Sequence, residues 1–142
     1  MRITMLTSSY PRFPGDGAAP FVQSIAEALT DLGHAVEVIA PDDVLVARRG
    51  AGRPAKIDEN QTAICVHHFR YFWPRKSQIM GYARALAADT SLRPAAYWQL
   101  PFFLLAEFIT LMRVTRQQKT DWIYVHWVLP NGPAAALVAK IR

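Results

Sequence analysis

Cysteine is almost missing from these 142 residues, and the single Cys65 excludes both an intramolecular disulfide and a cysteine metal cluster. A reducing, cytosolic setting suits such a chain. Long apolar runs without charge are missing as well. The longest apolar stretch, Ala95 to Val114, is interrupted by Gln99, Pro101, Glu107 and Arg113. A spanning helix needs about 20 mostly apolar residues, so a buried or interfacial helix is expected here instead. The opening Met1 to Thr7 lacks the long apolar region and small-residue cleavage site of a signal peptide. There is no internal repeat, no low-complexity segment and no G-x-G-x-x-G fingerprint. No lysine follows Gly17 to complete a Walker pattern, so dinucleotide and P-loop readings are disfavoured.

The residues present describe a globular α/β chain. Hydrophobic residues make up 51% and aromatics 11%, enough for a core of one domain. The formal charge of +5 favours acidic partners: phosphorylated ligands, anionic lipid surfaces or nucleic acid.

Ile3 to Thr7 reads as a buried strand. The loop from Ser8 to Ala19 carries Pro14, Gly15 and Gly17 and cannot be regular. Pro20 suits the first turn of a helix, and Val22, Ile25, Ala26, Leu29 and Leu32 follow at helical spacing. Gly33 stops that helix, and Ala35 to Ala40 is a second strand. Strand, helix and strand within forty residues make a βαβ unit with a parallel sheet and a right-handed crossover. Asp42 to Asn60, with its Arg48–Pro54 centre, reads as an exposed basic connection. Further expected elements are a strand at 62–72, a modest helix at 78–89, a long apolar helix at 100–118, a buried strand at 121–126 and a helix from Pro133 to Lys140. That last helix leaves a βα unit open at Arg142, as expected of a truncated domain.

Ligands of open parallel sheets bind beyond the carboxyl ends of the strands. Two expected strand ends carry unusual residues: Ser8 to Ala18, and His126-Trp127-Val128-Leu129-Pro130-Asn131-Gly132. In the first, glycines allow close backbone approach, the N–H groups of the next helix face the same place, and Arg12 adds a charge-assisted contact for an anion. The alternative is a loop that only turns the chain. His126 is either a strand-end functional group or a satisfied structural histidine. His67 and His68 alternate faces and do not readily ligate one metal together; His34 is a turn residue. Trp98, Phe102, Phe103 and Phe108 read as core, with an acceptor groove or membrane contact as the alternative.

Arg2 to Tyr10, Pro14-Gly15-Asp16-Gly17-Ala18-Ala19-Pro20-Phe21-Val22 and Leu32-Gly33-His34-Ala35-Val36-Glu37-Val38 together resemble the opening of family 4 glycosyltransferases. Phe69 to Pro74 and Asp121 to Gly132 resemble later segments of that family, with Tyr124 where its first histidine usually stands. The resemblance covers nearly the whole chain. It implies residues 1–142 are the Rossmann-like, acceptor-side N-terminal half of a GT-B architecture, a parallel sheet with helices on both faces. It further implies retaining transfer without metal or cofactor, from a nucleotide-sugar to a glycan or lipid-linked acceptor, and no nucleic acid is expected as a partner. The lone cysteine points to the cytoplasm, and the basic charge with the aromatic helix to contact at the inner membrane face. Gly15 and Gly17 would match the loop that lines the cleft near the donor phosphates, and Arg12 and Asp16 of the same segment are further substrate-binding candidates. His126 would contact the transferred sugar or acceptor as the catalytic-site histidine, with Trp127, Asn131 and Gly132 beside it. The paired glutamates that grip the donor belong to a second domain that this sequence does not contain. The chain alone is therefore expected to be inactive in transfer. The competing reading is a stand-alone, non-catalytic module that binds a glycolipid or a protein.

Overall fold

The computed structural model describes residues 1–13, 15–43, 64–84, 86–88 and 91–142. Strand β1 (Arg2–Leu6), helix α1 (Pro20–Asp31) and strand β2 (Ala35–Pro41) form the expected βαβ unit. Strands β3 (Cys65–Phe69), β4 (Leu86–Ala88) and β5 (Ser91–Leu92) follow, then helix α2 (Pro94–Gln117), strand β6 (Trp122–Val125) and helix α3 (Val128–Ile141). The main sheet has the order β3-β2-β1-β6 and every pairing in it is parallel. β4 and β5 form a separate antiparallel pair. This is the α/β, Rossmann-like arrangement that the strand and helix pattern implies.

Helices cover both faces because the strands alternate. Ile3, Met5, Val36, Val38 and Ala40 pack against Val22 and Ala26 of α1. Leu6, Ile39 and Phe69 point to the other face, where Phe103, Leu111 and Val114 of α2 meet Ala135 and Val138 of α3. α1 ends in a Schellman turn. The N–H of His34 donates to the Leu29 carbonyl at 3.1 Å and that of Gly33 to Thr30 at 2.8 Å. Gly33 sits at φ +84°, a conformation that favours glycine.

Five expectations need correction. Residues 78–89 form no helix where described. The buried Gln78 side chain accepts from the Tyr71 N–H at 3.1 Å, and Tyr82 and Ala83 adopt positive φ, so a bend precedes β4. α2 begins at Pro94 rather than Leu100, with Pro101 inside it. β6 is half-exposed rather than buried, because it is the sheet's edge and Trp122 and Tyr124 face outward. Only Phe103 of the expected aromatic core group is fully buried; Trp98 is 80% exposed and Phe102 is 52% exposed. Of the connection after β2, Asp42 and Asp43 are buried rather than exposed, and residues 44–60 lie outside the described set, as does Pro14.

α2 is long and apolar enough to cross a membrane by length and composition. Its inner face nevertheless packs on the sheet as a core helix does, and it buries Glu107 completely. Neither carboxyl oxygen of Glu107 has a hydrogen-bond partner among the described residues. Burial raises its pKa from 4.5 to about 8, so the group is held protonated at neutral pH. The unfolded chain ionises this carboxyl well before the folded one. Stability should therefore be full below the unfolded value and fall as pH rises toward about 8, then level off. Urea midpoints measured from about pH 5 to about pH 9 should show that decline, and Glu107→Gln should flatten it. An unchanged slope in Glu107→Gln would assign the decline to other groups.

Candidate functional site

The carboxyl ends of β1, β2 and β6 lie side by side in one parallel sheet, so whatever leaves them shares one rim. Leaving β1, the chain turns at Phe13 to Asp16, where the Asp16 N–H donates to the Phe13 carbonyl at 3.0 Å. Gly15 has φ +81°, which a side chain would strain. Asp16 staples this turn. One carboxylate oxygen accepts from the Arg12 backbone N–H at 3.0 Å and from Arg12 Nε at 2.6 Å. The other accepts from Arg12 Nη2 at 3.0 Å and from the Ala18 N–H at 3.3 Å. The Arg12 bond is the main reason that the Asp16 pKa falls to about 2. Arg12 is thereby committed to Asp16 rather than left open for an anion. Its guanidinium also lies 4.8 Å from the centre of the Tyr82 ring and 3.7 Å from Asp43.

Leaving β2, Asp42 and Asp43 turn inward. Asp42 accepts from Arg75 Nε at 2.6 Å and has Arg70 Nε at 3.6 Å. Asp43 pairs with Arg84 and with Arg12. Gly81 lets the 78–84 segment close onto this corner: a Cβ there would stand 2.6 Å from Pro41 Cγ. The Tyr82 N–H donates to the Ser8 carbonyl at 3.1 Å, and the Tyr82 hydroxyl to the Pro41 carbonyl at 3.3 Å. Burial, with Asp43 close by, raises the Tyr82 pKa, so the phenol stays neutral. His68, next to last in strand β3 and toward this corner, is shifted down by burial and stays neutral more readily than a free histidine.

Leaving β6, the His126 N–H donates to the Leu6 carbonyl at 2.8 Å, which continues the pairing with β1 one step beyond the strand. Its ring lies 4.9 Å from that of Phe21, in the first turn of α1, and 5.8 Å from that of Trp127. Asn131 is fully buried and its Nδ2 donates to the His126 carbonyl at 2.7 Å, while its Oδ1 has no partner among the described residues. Gly132 stands close to Val128, where a Cβ would lie 3.3 Å from Cγ1. Trp127 has φ 68° and is exposed. α3 is irregular at Leu129, so this segment bends before the helix proper.

The predicted residues thus fall into two adjoining groups. Phe21 joins His126 to the start of α1, directly after the Gly15–Gly17 loop, and Asn131 and Trp127 are local to His126. Arg12 and Asp16 extend instead toward Asp43. The sequence reading missed Asp42, Asp43, Arg70, Arg75, Tyr82, Arg84 and Phe21. Only the adjacent aspartates and the local excess of arginine hinted at the ion pairs. Asp42 and Asp43 are engaged by arginines and offer no open carboxylate to a cation. Two shallow clefts lie at the opposite end of the sheet, one of about 400 Å³ beside Phe108, Met112 and Arg116 and one of about 540 Å³ beside Met1, Gly33 and Asp121. Neither touches these groups. No protein-family model matches the chain, and no curated protein matches it.

Asp43 is almost fully buried between two guanidiniums, so removing its charge should deprive Arg84 of this carboxylate and leave Arg12 paired with Asp16. Asp43→Asn should lower stability by about 2–4 kcal/mol. In denaturant unfolding, a change below about 0.5 kcal/mol would mean that solvent screens the pair.

Proposed function

We propose that this chain is the acceptor-side half of a retaining, family 4 type glycosyltransferase, working at the cytoplasmic side of the membrane. The observation that carries this reading is the contact of His126 with Phe21. It sets the histidine at the end of β6 against the first turn of α1, immediately after the glycine loop. In an open parallel sheet this is the rim where ligands bind. Here the start of α1 and the open space at Gly15 and Gly17, where a Cβ would meet nothing among the described residues within 4 Å, suit a phosphate or sugar hydroxyl. His126 serves as the polar contact to the sugar, and Asn131, through the His126 carbonyl, positions it. Exposed Trp127 supplies an apolar face of the kind on which sugar rings stack. Nucleotide-sugar is a substrate here, and no cofactor or metal has a part in the reaction.

The outward face of α2 supports a lipid-linked acceptor. Trp98, Phe102, Leu105 and Ile109 are exposed at helical spacing, and Arg113 and Arg116 follow toward the helix end. That stripe also favours the second reading, a non-catalytic module for a glycolipid or partner protein. The two differ in whether the rim at His126 is used.

Titration of the isotope-labelled chain with a soluble sugar diphosphate of a short-chain lipid should shift the resonances of His126, Trp127 and Gly17, with no product formed. His126→Ala should weaken that binding about tenfold, roughly the worth of one good polar contact. Shifts confined to the α2 stripe, with binding to anionic vesicles intact, would favour the second reading. Sugar transfer by the chain alone would contradict the first as stated.

A further inference from the structure

Away from the rim, on the edge of the sheet, three metal-binding side chains of different chemistry converge. Glu37 lies directly opposite Cys65 in the β2–β3 register. Cys65 and His67 are two residues apart on β3 and so share one face. Their ligand atoms, a glutamate oxygen, the Cys65 Sγ and a His67 ring nitrogen, all lie within 4.8 Å of one another. His67 Nε2 and Glu37 Oε2 are 2.6 Å apart. All three residues are half-buried, so the group is reached from solvent yet partly shielded from it. The face is the one that also carries Ile39 and Phe69, whereas His68 points to the opposite face and contacts the Pro41 carbonyl at 3.4 Å.

We infer that Glu37, Cys65 and His67 form a binding site for a borderline-soft divalent cation of the zinc class, which fastens edge strand β3 to β2. Thiolate, imidazole and carboxylate are the three ligand types that zinc accepts, and three protein ligands leave one position for water. Hard cations such as magnesium and calcium prefer all-oxygen sets, and this set contains sulfur and nitrogen. Tetrahedral zinc holds its ligands about 3.3 Å apart, so binding replaces the Glu37–His67 hydrogen bond by two metal bonds and asks only a small separation of those side chains. Thiolate and carboxylate bring two negative charges to the cation's two positive ones. The thiol gives up its proton to solvent as the metal–sulfur bond forms. Without the cation that proton is held firmly, because burial and the neighbouring Glu37 push the Cys65 thiol up. The site stands apart from the transfer chemistry proposed above and does not depend on it.

Cobalt(II) added to the reduced chain should produce a thiolate-to-cobalt absorption band that saturates at one equivalent and is displaced by zinc. Cys65→Ser should abolish the band, and His67→Ala should weaken cobalt binding at least about tenfold. His34→Ala, in the turn after α1, should leave it unchanged. Because Cys65 is the only cysteine, alkylation gives a second readout on the unaltered chain. One equivalent of zinc should slow its reaction with iodoacetamide at least about tenfold. Absence of the cobalt band, or an alkylation rate indifferent to zinc, would overturn the site. The alkylation result decides the matter even if a variant fails to fold.

Discussion

Two neighbouring buried carboxylates, Asp42 and Asp43 at the carboxyl end of β2, hold the candidate site together. An aspartate this enclosed is tolerated only when its charge is met. Here arginines from three separate segments meet it: Arg12 from the loop after β1, Arg70 and Arg75 from the segment after β3, and Arg84 from the bend before β4. Arg12 then carries the constraint onward to Asp16 and fixes the glycine loop. The ion pairs are thus less a store of stability than a positional device, because each arginine pulls one irregular segment to the same sheet end. Gly81 and Tyr82 complete the closure through backbone approach and a hydrogen bond.

The rim has two characters as a result. On the β2 side it is an ion-pair network in which four arginines face three aspartates, Asp16 included. On the β6 side it is aromatic and lightly polar, with His126, Phe21 and Trp127 around the start of α1. The His126 and Trp127 rings of the second region are not tied into ion pairs among the described residues, and that is where a sugar or phosphate would be met. Asn131 fits this division: its amide steadies the His126 carbonyl, while its Oδ1 has no partner among the described residues.

The βαβ unit was readable almost residue by residue, because each of its signals is local. Apolar runs marked β1 and β2, Pro20 opened α1, and Gly33 closed it at positive φ. The 78–84 segment was misread for the opposite reason. Its own residues suit a helix, but the backbone answers to distant partners, Ser8, Pro41 and Tyr71. The aspartate–arginine network was equally hidden, since Asp42 and Asp43 find partners 33 and 41 residues along the chain. Exposure of Trp98 and Phe102 was also out of reach: α2 is apolar nearly all round, so periodicity does not say which face meets the sheet. The strand-end positions of His126 and the glycine loop were legible; that Phe21 links them was not.

The central claim is that the rim between the glycine loop and His126 receives a sugar-bearing anion. Photo-crosslinking reads this most directly, using a lipid-linked sugar diphosphate with a diazirine on the sugar, followed by peptide mapping. The account predicts adducts within residues 15–21 and 126–132, lost when excess unlabelled ligand is present. Competed adducts found only along 97–109 of α2, or at the amino end of the sheet, would contradict it.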